Sequence, residues 1–389
     1  MEAVSLAITS MGIEFFYELN LALIPLGALL LMALVQLYFI LVVYGKLAVH
    51  KVRSHQASDQ SPALSVIICA HNEEDNIRKY LPLILQQDYP DFEVIVVDDC
   101  SHDDTKWVLR ELTQQHHHLR VIEIKEHIQL KHSKKFALTM GIKGARHPYL
   151  VLTDADCAPI SRNWLREMAG SFGPEKEIVL GYSPYFKKPG ALNRLIRFET
   201  THTAMSYLAY ALKKNSYMGV GRNLAYAKSL FFQGRGFTDH MHIRSGDDDL
   251  FVNQHANKKN VQIAIHPDAH VYSEPKESWA SYYKQKARHS GASTLYKGRH
   301  QAMLGLQLCS AVCFYLMILV SLCLAPAYWY FVVAAYLVRL LAQFLIYRPI
   351  FNKLKVADLL AWLPILDLYY YFYICFNGLF NRQKKHISW

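Results

Sequence analysis

Long apolar runs occupy both ends of the chain, and shorter apolar runs alternate with polar stretches between them. Residues 21–44 contain no charged side chain and exceed the roughly 20 apolar residues that a helix needs to cross a bilayer core. Residues 303–325 and 327–347 form two more such runs, separated by Pro326. The pattern predicts one N-terminal transmembrane helix and a C-terminal transmembrane hairpin. A buried core helix is the alternative for the first run.

Basic residues beside these runs predict the orientation, because Lys and Arg that flank short spans stay in the cytoplasm. Lys46, Lys51 and Arg53 follow the first run and predict that the middle of the chain is cytoplasmic. The basic residues after the hairpin are predicted on the same side: Arg348, Lys353 and Lys355. We therefore expect an integral membrane protein of the plasma (inner) membrane with its central region in the cytoplasm.

A fourth apolar stretch, residues 356–380, is interrupted by Asp358, Pro364 and Asp367. Charged side chains are costly in a bilayer core. A complete fourth crossing would also move the basic C-terminal residues to the outer side. We predict three crossings and a fourth segment that lies in the interface or re-enters the membrane, with a full span as the alternative.

Between these ends the pattern is that of an α/β domain. Apolar runs typical of strands lie at 64–70, 92–99, 119–124 and 149–156, and helical patterns lie at 74–87, 103–115 and 133–145. This alternation predicts a parallel sheet with right-handed crossovers, which binds ligands at the carboxyl ends of its strands. The predicted organisation is a membrane segment (1–53), a linker (54–63), the α/β domain (64–298) and a C-terminal membrane region (299–389).

The chain carries a formal net charge of +10, and much of the excess lies beside the membrane segments. Attraction to anionic lipid explains this charge more simply than nucleic acid, so we expect no nucleic-acid partner. Four of the seven cysteines lie in apolar segments, and the others show no paired spacing. Neither a disulfide framework nor a zinc site is indicated.

Carboxylates follow two of the predicted strands. Asp98 and Asp99 end the second strand, and Asp154 and Asp156 end the fourth. Because the carboxyl ends of parallel strands meet at one edge, we expect these side chains to share a crevice. Carboxylate oxygens are ligands that Mg²⁺ and Mn²⁺ prefer, and such sites commonly add phosphate oxygens. The Asp-Ala-Asp triplet therefore predicts a divalent cation beside a nucleotide.

Two later motifs add a base and a phosphate ligand. Asp247 and Asp248 lie in an acidic run directly after Gly246. Repulsion between adjacent carboxylates raises the pKa of at least one of them. A carboxylate with a raised pKa is suited to general base catalysis, and we assign this role to Asp248. Helix capping is the alternative and can coexist with it. Gln285 and Arg288 are three residues apart, so they share a helix face on which Arg288 can bind a diphosphate or, alternatively, a lipid phosphate.

Together these motifs resemble the family 2 glycosyltransferases, particularly the membrane-bound branch that includes cellulose, chitin and hyaluronan synthases and ceramide glucosyltransferase. The resemblance rests on 65–77, 94–105, 133–142, 152–156, 246–248 and 285–289, in the family's order. It implies a Rossmann-like GT-A domain, an inverting transfer from a nucleotide-sugar, with UDP the expected nucleotide, and Mg²⁺ or Mn²⁺ as cofactor. The same resemblance implies that Asp99 binds the nucleoside, and the position of Asp98 at the same strand end gives it the same predicted role. It further implies contact with the diphosphate for Lys134, Gln285 and Arg288. Asp154 and Asp156 would bind the nucleotide and the metal, and Asp248, beside Asp247, would be the base.

The chain departs from the family at two points. His289 stands where the family's Gln-x-x-Arg-Trp signature has tryptophan, and the membrane segments are fewer than those of polysaccharide-secreting synthases. Both departures favour transfer to a lipid or a lipid-linked glycan. Apolar residues at helical spacing over 191–212 favour an interfacial helix with Arg194, Arg197 and Lys213 reaching toward lipid, and a packed core helix is the alternative.

Three other functions remain open at this stage. A processive polysaccharide synthase would share the same motifs. A catalytically silent scaffold would have no physical need to retain this set of carboxylates. An ion or solute transporter could use Asp358, Asp367 and Arg339 in the apolar stretches, although pairing of Arg339 with an acid explains these charges more simply.

Overall fold

The computed structural model describes residues 23–55, 61–125, 133–241, 243, 245–289 and 291–380, and for 288, 289 and 376–380 it describes only the backbone. The predictions for residues 1–22, 56–60 and 381–389 lie outside this part of the chain. The first apolar run forms one long helix, α1 (Leu23–Val49), which includes a π-helical stretch at Tyr38–Tyr44.

The described residues of the central region form nine strands: β1 (Leu64–Ala70), β2 (Phe92–Asp99), β3 (Leu119–Ile124), β4 (Tyr149–Asp154), β5 (Cys157–Pro159), β6 (Ile178–Gly181), β7 (Leu224–Ala227), β8 (Val261–Ala264) and β9 (Val271–Ser273). Eight helices accompany them: α2 (Glu74–Leu85), α3 (Thr105–Gln115), α4 (Lys134–Gly144), α5 (Trp164–Ala169), α6 (Ala191–Leu212), α7 (Lys228–Gln233), α8 (Asp249–His255) and α9 (Trp279–His289). The C-terminal helices are α10 (Gly298–Leu324), α11 (Trp329–Lys353) and α12 (Leu363–Phe380).

Seven strands form one sheet in the order β3-β2-β1-β4-β7-β6-β8. The first four are parallel, as the alternation of strands and helices predicts. The sheet as a whole is mixed, because β7, which the sequence pattern did not predict, pairs antiparallel with both β4 and β6. β5 and β9 form a separate antiparallel pair. Strand β4 ends at Asp154, so Asp156 lies in the turn that follows rather than on the strand.

The central strands are buried on both faces, which explains their continuous Val, Ile and Leu runs. Val66 and Ile68 of β1 pack with apolar side chains of α2 and α3 on one face. Ile67 of β1 and Val97 of β2 pack against α4 on the other, and this second cluster continues through α6 into the C-terminal helices. The sheet is therefore joined by apolar packing to the helices that carry the membrane-like sequence.

Three helices in the described part of the chain are long and apolar enough to cross a membrane: Leu23–Val49, Gly298–Leu324 and Pro326–Lys353. Within their most apolar windows only 33%, 28% and 22% of the residues are buried, so most side chains face outward, as in helices surrounded by lipid. The fourth stretch forms a 3₁₀ turn at Ala357–Trp362 followed by α12. Its interfacial or re-entrant placement stays a prediction.

A buried ion pair and its hydrogen bonds connect the apolar helices at the two ends of the chain. Arg339 of α11 donates to Asp367 of α12 at 2.9 Å, and both side chains are 1% exposed. Gln343 also donates to Asp367, and Tyr315 of α10 donates to the same carboxylate at 2.6 Å. Arg339 further donates to Gln36 of α1. The pairing of Arg339 with an acid thus has a specific partner, and the network joins all four helices.

Asp367→Asn should destabilise the helical bundle. The change leaves the charge of Arg339 buried without its counter-ion, which costs about 3–5 kcal/mol in buried pairs. We expect a large fall in the thermal unfolding temperature of the detergent-purified protein. Leu345→Ala is the matched control, because Leu345 is 64% exposed on the outer side of α11. Equal unfolding temperatures for both variants would contradict a stabilising role for the pair.

Helix α6 has the bounds expected of the proposed interfacial helix, but its packing favours the alternative of a core helix. Most of its side chains are buried, and it packs against the C-terminal part of α1 and against α12. The expectation that Arg197 reaches toward lipid is wrong, since this side chain is buried and donates two hydrogen bonds to Asp358 at 2.8 and 2.7 Å. Arg194 lies over the ring of Trp362, at 4.3 Å.

Candidate active site

The candidate site lies at the carboxyl ends of β1, β2 and β4. Asp98 is paired with Ala70, and Cys69 is paired with Asp154, so the ends of the three strands are in register. Side chains alternate along a strand, which places Asp99 on the same face as Cys69 and Asp98 on the opposite face. Both aspartates are buried, and Asp98 accepts a hydrogen bond from the Ser101 N–H at 3.2 Å.

Carboxylates that suit a cation follow β4. The ligand atoms of Asp154, Asp156 and Cys157 all lie within 4.8 Å of one another. Burial raises the pKa of Asp156, and the charge of Asp154 adds to the effect, so a cation between them would relieve repulsion. Burial also raises the pKa of the Cys157 thiol, which keeps it neutral. The two carboxylates, without the thiol, fit a hard ion such as Mg²⁺ or Mn²⁺.

Lys134 connects this motif with the acidic run after Gly246. It begins α4, where Ser133 caps the helix by accepting from the Phe136 N–H. Its Nζ donates to Asp154 at 2.7 Å and lies 3.6 Å from Asp247. Burial alone would lower the pKa of Lys134, but Asp154 and Asp247 outweigh burial and raise it well above the usual value. Lys134 is therefore a fixed positive charge between two groups of carboxylates.

Asp248 caps helix α8 and is half-buried in the site. Gly246 adopts a positive φ of 96° before it, a backbone conformation that favours glycine. Asp248 Oδ1 accepts from the Asp249 N–H at 2.7 Å, and Oδ2 accepts from the Gly221 N–H at 2.6 Å. Burial, followed by repulsion from Asp247 and Asp249, raises the pKa of Asp248 to about 7. A carboxyl with this pKa can take and return a proton near neutral pH.

A small cavity brings these groups together. Its lining residues are Ile67, Cys69, Lys134, Leu138, Leu152, Thr153, Asp154, Gly221, Asp247 and Asp248. Four of the residues proposed from the sequence therefore meet in one place, although they are spread over more than 110 positions of the chain: Lys134, Asp154, Asp247 and Asp248. Asp156 does not line this cavity, but its carboxylate lies close to that of Asp154 in the group formed with Cys157.

Gln285 lies on α9 and donates to the Tyr185 hydroxyl at 3.4 Å. Arg288 belongs to the same helix, but its side chain lies outside the described part of the structure. Helix α9 is held against α6 through Glu199, which accepts from Tyr282 at 2.5 Å and pairs with Lys286 at 2.7 Å. The helix that carries Gln285 is thus fixed to α6, and Gln285 is not among the residues that line the cavity.

Arg222 is a site residue that the sequence analysis did not select. Its guanidinium lies 4.5 Å from the ring centre of Tyr185, and it donates to Ser273 at 2.9 Å and to the Ser183 carbonyl at 3.1 Å. Burial alone would lower the pKa of Arg222. Nearby groups outweigh burial and raise this pKa: Tyr185, Cys157, Asp156 and Asp154. A basic residue two positions before the buried strand β7 is the sequence signal that could have found it.

Comparison with known families identifies the domain. Residues 65–233 match the family described as Glycosyl transferase family 2. They form a glycosyl transferase family 2 domain. The matched residues include strands β1 to β4. They also include Asp99, Lys134, the Asp154–Asp156 triplet and Arg222. The glycosyltransferase resemblance inferred from the motifs is confirmed.

Curated relatives of this glycosyltransferase domain share parts of the chain. Glycosyltransferase AglE of Haloferax volcanii is 29% identical over 141 residues, which cover 36% of this chain and 45% of AglE. Poly-beta-1,6-N-acetyl-D-glucosamine synthase of Staphylococcus epidermidis is 28% identical over 97 residues, which cover 25% of this chain and 22% of the synthase. The probable glycosyltransferase YdaM of Bacillus subtilis is 25% identical over 234 residues, covering 58% and 54%. The chain thus spans about half or less of the length of these relatives.

A solved structure shares the fold of the glycosyltransferase domain and its helices. The mannosyltransferase PcManGT from Pyrobaculum calidifontis, solved in complex with GDP-Man and Mn²⁺, is 18% identical in sequence. The alignment covers 89% of this chain and 99% of that chain, with a TM-score of 0.56. This likeness confirms the predicted α/β GT-A class, with one apolar helix before the domain and two after it.

Proposed function

We propose that this protein is an inverting, metal-dependent glycosyltransferase that transfers a sugar from a nucleotide-sugar, with UDP as the expected nucleotide, to a lipid or lipid-linked glycan at the cytoplasmic face of the plasma (inner) membrane. The observation that carries the proposal is the meeting of Lys134, Asp154, Asp247 and Asp248 around one cavity. A cation, acidic metal ligands and a near-neutral carboxyl are the groups that transfer from a diphosphate donor requires.

The donor would lie across the strand ends. Asp99, with Asp98 behind it, would bind the nucleoside, and Lys134 would approach the diphosphate. Asp154 and Asp156 would hold Mg²⁺ or Mn²⁺, which supplies electrostatic stabilisation of the charge that develops on the leaving diphosphate. Gln285 and Arg288 would contact the same diphosphate from α9. Support for this arrangement comes from the 2.7 Å contact between Lys134 and Asp154, which puts a positive charge beside the metal ligands.

Asp248 would act as the general base in a single displacement. The acceptor hydroxyl transfers its proton to the Asp248 carboxylate as the acceptor oxygen attacks the anomeric carbon. The bond between that carbon and the diphosphate oxygen breaks, and its electron pair leaves with the nucleoside diphosphate. Attack from the side opposite the leaving group inverts the anomeric configuration, so no protein nucleophile is needed.

A membrane-side acceptor is supported by the surroundings of α9. Trp279 and Tyr283 stack at a centroid distance of 6.1 Å and are 42% and 36% exposed. Tyr283 also lies 6.0 Å from Tyr373 of α12. Partly exposed aromatic side chains beside an apolar helix suit a molecule with a lipid part and a sugar part.

The decisive experiment is a donor screen with the detergent-purified full chain. Nucleotide-sugars, UDP-sugars first, are incubated with Mn²⁺ and with a lipid extract as acceptor, and release of nucleoside diphosphate and labelling of lipid are measured. We expect release with one donor and one or a few sugars on the lipid. No release with any donor would reject the function. Long water-soluble chains would instead support a processive polysaccharide synthase, which the relation to poly-beta-1,6-N-acetyl-D-glucosamine synthase makes the second candidate.

The pH dependence of transfer should report the titration of Asp248. Only the ionised carboxylate accepts a proton, and burial raises its pKa to about 7. We therefore expect kcat/KM for the donor to rise with pH through an apparent pKa near that value and to fall about tenfold per pH unit below it. The check is a pH profile at saturating acceptor and Mn²⁺. A profile that is flat from mildly acidic to mildly basic pH would contradict the assignment.

A further inference from the structure

The short turn Gly221–Asn223 touches both halves of the candidate site. The Gly221 N–H donates to Asp248 Oδ2 at 2.6 Å. One residue later, the Arg222 carbonyl accepts a hydrogen bond from the Thr153 hydroxyl at 3.0 Å. Thr153 directly precedes Asp154 on β4. Two hydrogen bonds on consecutive residues therefore connect the carboxyl assigned as base with the strand end that carries the metal motif.

The turn is fixed to the rest of the domain by its own side chains. Asn223 is completely buried and donates to the carbonyls of Tyr182 and Ala269, at 2.9 and 2.7 Å. It also accepts from the indole N–H of Trp164 at 3.1 Å. The Arg222 guanidinium adds its bonds to Ser273 and Ser183. Because these groups hold the turn in place, the Gly221 N–H has a fixed position and can fix the position of the Asp248 carboxylate.

Gly221 also meets Asp248 sterically. A Cβ at this position would lie 3.3 Å from Asp248 Oδ2 and 3.4 Å from Asp248 Cβ. The φ of Gly221 lies outside the left-handed region, so the backbone itself accepts alanine. The immediate consequence of an added methyl group is thus a shift of Asp248 by a few tenths of an ångström. Glycine at position 221 therefore lets the Asp248 carboxylate approach closely enough to accept the hydrogen bond from the Gly221 N–H.

We propose that Gly221 and Thr153 are positioning residues, which set the placement of the base carboxylate relative to the metal motif through the Gly221–Asn223 turn. The inference rests on the proposed function, and it names residues that act through Asp248 and Asp154 rather than on the substrate. Proton transfer and displacement depend steeply on geometry, and misplacement by about 1 Å can reduce a rate by about 10²-fold.

The first test is Gly221→Ala in the full chain, assayed with the donor that the wild type uses. We expect kcat to fall by about 3- to 10-fold while KM for the nucleotide-sugar changes less than about twofold, since the donor contacts are untouched. Gly173→Ala is the matched control, because a Cβ there would meet Lys176 at an ordinary 3.7 Å. Wild-type kcat in Gly221→Ala, or a loss expressed only in KM, would overturn the proposal.

A second pair of variants keeps the test valid if Gly221→Ala does not fold. Thr153→Val removes the hydroxyl that donates to Arg222, whereas Thr153→Ser retains it. We expect a kcat loss with Thr153→Val and recovery with Thr153→Ser, at equal thermal unfolding temperatures. Equal activity in the two variants would also overturn the proposal. Failure of the proposed function has a different signature, because the wild type would then release no nucleotide from any nucleotide-sugar.

Discussion

Asp248→Asn should abolish sugar transfer while leaving donor binding measurable. The amide keeps the shape of the side chain but cannot accept the acceptor's proton, and general base catalysis contributes about 10²–10⁴-fold to such rates. Asp248 is not among the residues predicted to bind the nucleoside, so binding of the nucleotide-sugar should persist. We expect a kcat loss of at least about 10²-fold with little change in donor affinity, measured by transfer kinetics and by donor titration.

The control for this result is Asp91→Asn, which makes the same chemical change at an aspartate whose side chain is 65% exposed at the start of β2. It should retain wild-type turnover. Unchanged turnover in Asp248→Asn would remove Asp248 as the base. A loss of donor affinity equal to the loss of kcat would instead indicate that Asp248 orders the donor site, because Lys134 lies in the same cavity.

Several elements were predictable because their physical causes are local. Strands β1, β2 and β3 have the predicted bounds, since apolar runs mark β1 and β2 and β3 is rich in Leu, Val and Ile. The nearness of Asp154 to the end of β1 followed from parallel pairing alone. The short strands β6 and β8 were not predicted, because four residues are too few to show a period. The antiparallel direction of β7 depends on chain connections that no local pattern records.

Other features depend on partners far away in the sequence. Arg197 was expected to reach lipid because its helix is amphipathic, but its partner Asp358 lies 161 positions later and draws it into the core. The sequence predicted that Arg339 pairs with an acid. It did not predict that the acid is Asp367, because that pairing depends on the packing of α11 on α12. Arg222 was missed for the same reason, since its neighbours Tyr185 and Ser273 come from separate segments.

Asp156→Asn should remove most metal-dependent activity. The change leaves Asp154 as the single carboxylate of the proposed cation site, and that carboxylate also accepts from Lys134. Metal stabilisation of a leaving diphosphate is worth several kcal/mol, and each ~1.4 kcal/mol is a factor of ten in rate. We expect transfer at a fixed Mn²⁺ concentration to fall by about 10²-fold or more and to recover partly as Mn²⁺ is raised. A Mn²⁺ titration of the transfer rate measures both effects.

Cys157→Ser is the matched control, because it alters the third member of the same group without removing a carboxylate. Burial raises the pKa of the Cys157 thiol, and a neutral thiol is a poor ligand for a hard cation. The serine variant should therefore keep the Mn²⁺ dependence of the wild type. An equal loss in both variants would mean that the turn after β4, rather than the carboxylate of Asp156, is what the metal-dependent reaction requires. An unchanged Mn²⁺ requirement in Asp156→Asn would move the cation site away from this motif.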